Sequence, residues 1–276
     1  MREGDFFTRH SMRPKEGDQE SPDFEGVSEK GVKMARERAA QDIFEQLNES
    51  EKGTVMLLGA ASDIDRTKST ALVYGDEIKN IAAEQKEKGI MVLSPADLEK
   101  IQGYNNKINY LADQIKNNPD KKIVLDFPLF LRELSFRDTW ADGKGQWKDY
   151  GKKLLRRSGR NDEEGLKIWL KDQGKPEGEG SPNPKEVAKG QLAAVNRLRE
   201  FAKKYIPNRP LIIGSVGHCW NLDALAIYLA TKGEVTAEAF EKMKAKLISE
   251  TGMIKLTQKD GKQVLQYGEL SIPLEE

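Results

Sequence analysis

Two long apolar runs constrain the fold of this chain more than any other feature. Residues 55–61 read Val-Met-Leu-Leu-Gly-Ala-Ala, and residues 211–216 read Leu-Ile-Ile-Gly-Ser-Val. A strand with one face in water alternates apolar and polar residues, whereas a strand covered on both faces is apolar along its length. Both runs therefore predict buried parallel strands. Since helical patterns lie between the strands, we expect an α/β protein, a three-layer α/β/α sandwich with a mainly parallel central sheet.

The composition changes between residues 137 and 184. This stretch holds Trp140, Trp147 and Trp169, a basic run from 144 to 160, and a Gly- and Pro-rich end. We interpret the chain, residues 1–276, as a single domain in which 137–184 is an insertion or cap with helices of its own. The basic run is interpreted as a solvated helix face, and its alternative is part of a lid.

Near the C-terminus, apolar spacing predicts an amphipathic helix over residues 236–250. A terminal hairpin is predicted from residues 253–257 and 263–267, which are joined through Asp260-Gly261.

Composition excludes several classes of function. Lys+Arg and Asp+Glu are both 45, so the formal charge is zero, and a nucleic-acid binder that releases counterions would be basic. A lone cysteine, Cys219, excludes an intrachain disulfide and a multi-cysteine zinc site. No apolar run approaches the roughly 20 residues of a membrane span, and residues 1–13 show no secretory signal. We expect a cytoplasmic protein that binds neither nucleic acid nor a membrane.

Polar clusters follow three of the predicted strands. Arg9–Arg13 follows Phe6-Phe7, Ser62–Thr67 follows the first apolar run, and Gly217-His218 follows the second. Ligands of parallel sheets bind beyond the carboxyl ends of the strands, so these side chains are expected to meet there. Arginine presents a fork of donors that suits phosphate, and histidine, with an unperturbed pKa of about 6.5, can act as a nucleophile. The pattern predicts a phosphate-handling pocket.

Several segments resemble, in order, the motifs of the histidine phosphatase superfamily, which is also called the phosphoglycerate-mutase-like family. They extend over most of the chain. The segments are Arg9-His10-x-x-Arg13, Val27-Ser28-Glu29-Lys30-Gly31, the stretch from Ser62 to Ala71, Leu131-Arg132-Glu133-Leu134, and Gly217-His218.

The resemblance implies a role for each matching residue. His10 would attack phosphorus and form a transient phosphohistidine, and Glu133 would give a proton to the leaving alcohol. No metal or other cofactor is implied, because arginines supply the positive charge, and the implied partner is a small phosphorylated substrate. The residues that would hold the phosphoryl oxygens are Arg9, Arg13, Arg66 and His218.

Two positions depart from the family pattern. Ser11 stands where the family usually has glycine, and its hydroxyl could itself bind phosphate. Cys219 follows the second histidine, where another branch of the family carries its acid as Asp. That difference favours Glu133 as the acid, with Asp138 and Asp142 as alternatives.

The resulting hypothesis is a metal-independent phosphatase that hydrolyses a phosphomonoester. The Glu-Arg-His-Tyr-Gly segment of the mutases is absent, which favours a hydrolase. Two alternatives are a mutase-type phosphotransferase and a non-catalytic phosphate-binding protein. The sequence indicates neither the identity of the substrate nor the oligomeric state.

Overall fold

The structure is a computed structural model that describes residues 1–2, 4–85, 89–135, 146–173, 182–259 and 262–274. None of the helices within those ranges is long and apolar enough to cross a bilayer. The strands are β1 (Phe6–Arg9), β2 (Val55–Ala61), β3 (Ile90–Leu93), β4 (Lys122–Phe130), β5 (Leu211–Gly217), β6 (Met253–Lys259), β7 (Lys262–Tyr267) and β8 (Leu270–Pro273). The helices are α1 (Glu29–Arg38), α2 (Phe44–Glu49), α3 (Asp65–Glu84), α4 (Tyr104–Asn117), α5 (Gln146–Arg157), α6 (Asp162–Asp172), α7 (Pro184–Lys203), α8 (Cys219–Ala230) and α9 (Ala237–Lys242).

The chain divides into two compact units. The parallel unit comprises residues 10–130 and 195–216, and the antiparallel unit comprises residues 1–9, 131–194 and 217–276. The interpretation of the chain as a single domain with an insertion stays a prediction.

In the parallel unit, β3, β4, β2 and β5 lie side by side in that order, and each pair is parallel. Every residue of β2 is buried, as its uninterrupted apolar sequence predicts. On one face of β4, Asp126 meets Gly75 of α3. On the other face, Leu125 lies beneath α4 and the C-terminal part of α7. Helices therefore cover both faces, and the predicted α/β class with a mostly parallel sheet flanked by helices is confirmed.

In the antiparallel unit, β1, β6, β7 and β8 form successive antiparallel pairs. The predicted hairpin corresponds to β6 and β7, and residues 260–261 between them lie outside the described residues. Strand β8 was not predicted. Its addition gives β7 a neighbour on each side, so that Val264 and Leu265 are buried.

The predicted insertion contributes two helices, α5 and α6, to a hydrophobic core. Trp169 of α6 is fully buried there, and Trp220 of α8 packs so closely that a Cβ added at Gly165 would lie 2.7 Å from its ring. The other face of α5 carries the exposed side chains of Lys153 and Arg156. That arrangement agrees with the interpretation of the basic run as a solvated helix face. The other buried members of the core include Tyr150, Leu154, Leu166, Ile227 and Phe240.

The helix predicted over residues 236–250 is wrong in its length. Helix α9 ends at Lys242, because Lys244 adopts a positive φ of 51° that a right-handed helix cannot continue through. The following residues leave the helix and bind Arg9, as described below. Helix α4 was not predicted, although Ile108, Leu111 and Ile115 have helical spacing.

Asp126 is a carboxyl buried in the parallel unit, and it is only 3% exposed. Its Oδ2 lies where a Cβ at position 75 would come within 2.1 Å, so only glycine fits on the facing turn of α3. Burial, with a smaller contribution from the nearby Asp76 carboxylate, raises the pKa of Asp126 to about 8.

The raised pKa predicts a pH-dependent stability. In the unfolded chain an aspartate has a pKa of about 3.9, so between that pH and about 8 the folded state holds a proton that the unfolded state has lost. The contribution of Asp126 to stability is complete below pH 4 and disappears as the pH rises through 8. We expect Asp126→Asn, which stays uncharged, to gain stability relative to the parent between pH 5 and 9 in urea unfolding. The exposed Asp113→Asn serves as the control, and a parent–variant difference that stays constant with pH would contradict the prediction.

Candidate functional site

His10 follows β1 directly and is 7% exposed. Its Nδ1 lies 2.7 Å from the carbonyl oxygen of Ser11, and Arg66 Nε donates to its Nε2 at 3.1 Å. An arginine N–H can only donate, so Nε2 must present a lone pair. The ring proton therefore sits on Nδ1 and is donated to Ser11. The arrangement fixes one tautomer, in which Nε2 carries the lone pair.

The backbone at Ser11 is anchored on two helices. Its N–H donates to Thr70 Oγ1 of α3 at 2.9 Å, and its hydroxyl donates to the carbonyl oxygen of Gly31 in α1 at 2.6 Å. Thr70 in turn donates to the carbonyl oxygen of Arg66. The Ser11 hydroxyl is buried and directed at α1, so it is not directed at a bound anion as the sequence had suggested. Ser11 does not have a positive φ, which explains why a residue other than glycine fits there.

The loop after His10 packs closely on the start of α1. Ser28 is the N-cap residue: its hydroxyl accepts from the N–H of Gly31 at 3.1 Å, and its own N–H donates to the carbonyl oxygen of Met12 at 2.9 Å. A Cβ added at Gly31 would lie 2.5 Å from the same carbonyl oxygen. This close approach is the physical reason for serine and glycine at these two positions.

Arg66 is the second residue of α3. Ser62 and Thr67 stabilise the turn that leads into the helix, with their hydroxyls 2.8 Å apart and the Ser62 hydroxyl accepting from the N–H of Ile64. Gly26, with a φ of 75°, lies against the backbone of Arg66, where a Cβ would come within 3.1 Å of its nitrogen. A cation in the first turn opposes the helix dipole, and Arg66 donates from there to His10.

Arg13 lies in the loop that follows His10, and its side chain is exposed. Within the ranges described, no hydrogen bond or ion pair fixes it. In the parallel unit the structure thus brings His10 and Arg66 into contact and leaves Arg13 at the surface.

Arg9 belongs to the antiparallel unit, where its guanidinium is held from two sides. Nη1 donates to the carbonyl oxygen of Ile248 at 2.7 Å, and Nη2 pairs with the carboxylate of Glu250 at 3.1 Å. Its backbone N–H donates to Gly252 at 3.0 Å. The Nε–H is buried and has no hydrogen-bond partner within the described part of the chain.

His218 and Glu133 both lie in the antiparallel unit. His218 is the N-cap residue of α8 and is 3% exposed. Glu133 lies in a 3-10 turn, Arg132–Leu134, and a Cβ added at Gly190 of α7 would lie 3.6 Å from its Cγ. The turn is tied to α8, because Asn221 donates from its side chain to the Ser135 carbonyl oxygen at 3.1 Å.

The sequence analysis missed the residues that hold the site residues of the antiparallel unit in place. Asn221 is buried, and its backbone carbonyl oxygen accepts from the side chain of Gln191 of α7 at 2.8 Å. Both α7 and the Glu133 turn are therefore bound to α8. Glu250 lay inside the predicted helix and carried no motif of its own. Hydrogen bonds between residues distant in sequence leave no short-range signal.

The cysteine beside His218 is unreactive. Burial raises the pKa of the Cys219 thiol to about 12, so the thiolate is scarce at neutral pH. Asp138 and Asp142, the alternative acids, lie outside the described residues. In the ranges that the structure describes, no group of three or more His, Cys, Asp or Glu side chains is arranged to hold a metal ion.

No protein-family model matches the chain, and no curated protein matches it. Among solved structures, the chain is similar to a mycobacterial glucosyl-3-phosphoglycerate phosphatase, with 15% identity, coverage of 95% of this chain and 96% of the other, and a TM-score of 0.45. It is also similar to an α-ribazole phosphatase from Shigella flexneri, with 12% identity, coverage of 98% of both chains and a TM-score of 0.40.

The anchoring of Ser11 predicts the effect of removing its hydroxyl. Ser11→Ala loses one buried hydrogen bond to Gly31 and should lower the free energy of unfolding by about 1 kcal/mol. Urea unfolding measures the change, and Ser21→Ala, at a less buried serine, serves as the control. An unchanged unfolding midpoint for Ser11→Ala, with the control also unchanged, would show that the hydroxyl does not bind α1.

Proposed function

We propose that this chain is a phosphatase that hydrolyses a small phosphomonoester through a phosphohistidine at His10 and requires no metal ion. One observation carries the proposal: Arg66 donates to His10 Nε2 while Nδ1 lies against the carbonyl oxygen of Ser11. The imidazole is thereby held in the tautomer that a nitrogen nucleophile needs, beside a cation that a phosphoryl group would also contact.

In the first step, the lone pair of His10 Nε2 attacks phosphorus. A bond forms between nitrogen and phosphorus, and the ester bond between phosphorus and oxygen breaks. Ser11 accepts a hydrogen bond from Nδ1–H throughout, so it stabilises the positive charge that develops on the ring. Arg66 stays charged, and the hydrogen bond that it donated to the Nε2 lone pair is donated to a phosphoryl oxygen instead.

Glu133 is proposed to handle the proton of both steps. Protonated, it gives its proton to the leaving oxygen, which departs as an alcohol. As a carboxylate, it then takes a proton from the water that attacks the phosphohistidine. The second step breaks the bond between nitrogen and phosphorus, releases inorganic phosphate and restores His10.

The remaining cations are proposed to bind the phosphoryl oxygens. Arg9 has five N–H bonds, and Ile248 and Glu250 use one each on Nη1 and Nη2, so the second N–H of each terminal nitrogen remains for an anion. Arg13 is exposed and can reach a ligand without breaking another contact. His218 is proposed to donate to the same group.

Replacing His10 tests the nucleophile. His10→Ala removes the attacking nitrogen and should lower kcat/KM for an aryl phosphate by at least about 1,000-fold. Rapid quenching of the parent with a ³²P-labelled substrate should trap acid-labile label on His10. Tyr104→Ala, which removes an exposed side chain of α4, is purified in parallel and should keep the parent rate. Near-normal turnover by His10→Ala would refute the mechanism.

Replacing Glu133 tests the acid and separates a working enzyme from a phosphate-binding protein. Glu133→Gln cannot give up a proton, so kcat should fall by about 100-fold or more for alkyl phosphates and much less for 4-nitrophenyl phosphate, whose leaving group needs no proton. Asp138→Asn and Asp142→Asn are measured beside it, and selective loss in either one would move the acid there. A parent protein that binds phosphate and turns over none of these esters would instead support the non-catalytic alternative.

A further inference from the structure

The segment from Lys246 to Gly252 is held in place by contacts outside itself. It follows the positive φ of Lys244 and contains no helix or strand. Its hydrogen bonds to β1 come from Arg9, whose guanidinium binds Ile248 and Glu250 and whose N–H binds Gly252. The geometry of the Arg9 guanidinium therefore depends on where this segment is fixed.

Asp223 fixes the segment from the other side. It lies in α8, is fully buried, and its Oδ1 accepts from the N–H of Ile248 at 3.0 Å. The carbonyl oxygen of Ile248 accepts from Arg9. Ile248 thus connects the two side chains, with the Asp223 carboxyl on its N–H and the Arg9 guanidinium on its C=O.

Tyr267 of β7 completes the attachment. Its hydroxyl is within hydrogen-bonding distance of Asp223 Oδ1 and 2.9 Å from the carbonyl oxygen of Lys246. The hydroxyl donates to Asp223 Oδ1, so Tyr267 and the N–H of Ile248 hold the same carboxyl oxygen from two sides. Burial raises the pKa of Asp223 to about 7, and the hydrogen bonds from Tyr267 and Ile248 oppose that rise.

We propose that Asp223 is a positioning residue for the phosphate-binding guanidinium of Arg9, acting through Ile248 with the help of Tyr267. The proposal rests on the proposed function, because it assigns Arg9 to the phosphoryl group. Asp223 does not touch the substrate. It holds Ile248 so that the guanidinium of Arg9 keeps one direction, and a donor aimed in advance stabilises a transition state better than one that must be reorganised.

A double-mutant cycle tests the proposal. Asp223→Leu removes the acceptor at similar volume and should lower kcat/KM for an aryl phosphate by about 10- to 100-fold. Asp223→Asn keeps Oδ1 as an acceptor and should stay within about threefold of the parent. In an Arg9→Ala background, Asp223→Leu should lower kcat/KM by less than about a further twofold, since the residue that Asp223 positions has been removed. Equal losses in both backgrounds would overturn the proposal, because a general loss of structure does not depend on Arg9.

Tyr267→Phe provides a second route if Asp223→Leu does not fold. It removes the hydroxyl that reaches Lys246 and Asp223, and it should lower kcat/KM by severalfold in the parent background and not in Arg9→Ala. Tyr150→Phe is the matched control, because it removes a tyrosine hydroxyl of the same unit that donates to Asp172. Its kcat/KM should equal that of the parent.

A readout that needs no turnover separates this proposal from the proposed function. The side-chain Nε–H resonance of Arg9, assigned by its absence in Arg9→Ala, reports the guanidinium directly. It should be a single sharp signal in the parent and in Asp223→Asn, and it should shift or broaden in Asp223→Leu. If the parent shows this pattern and hydrolyses no phosphate ester, the proposed function fails and the positioning stands. An Nε–H signal that Asp223→Leu leaves unchanged would overturn the positioning, whatever the activity.

Discussion

The hydrogen bond from Arg66 Nε to His10 Nε2 is the contact on which the chemistry of the site depends. A guanidinium has donors and no acceptors, so this contact decides which ring nitrogen carries the proton. The carbonyl oxygen of Ser11 then accepts the proton on Nδ1. These two ordinary hydrogen bonds thus select the tautomer.

That contact requires three separate stretches of chain to meet, and each stretch carries a short-range signal for its part. Ser28 caps α1, Gly31 allows the close approach of Met12, and Ser62 stabilises the turn before α3. Caps and close glycines are local features with fixed spacing. The apolar run of β2 likewise predicts a strand that is buried on both faces. These parts of the fold and of the site could therefore be predicted from the sequence.

The partners of Arg9 could not be predicted in the same way. Glu250 lies 241 residues away, in a segment whose apolar spacing continues that of α9. The helix ends at Lys242, and the positive φ of Lys244 that stops it has no glycine to signal it. Asp223 is an acidic residue in an otherwise apolar helix, and its partner Tyr267 is 44 residues further on. Contacts of this kind are decided by tertiary packing, and only coordinates reveal them.

The ion pair between Arg9 and Glu250 raises the question of how a paired arginine can serve a phosphoryl group. A guanidinium has five N–H bonds, and Ile248 and Glu250 use one each on Nη1 and Nη2, which leaves the second N–H of both terminal nitrogens and the buried Nε–H. The carboxylate offsets part of the positive charge, so it weakens the binding of substrate and of released phosphate alike. A donor with a fixed orientation still stabilises the negative charge that develops in the transition state. Loss of uniform binding does not lower kcat, whereas loss of orientation does. In the proposed phosphatase, pairing Arg9 with Glu250 therefore favours turnover over retention of the product.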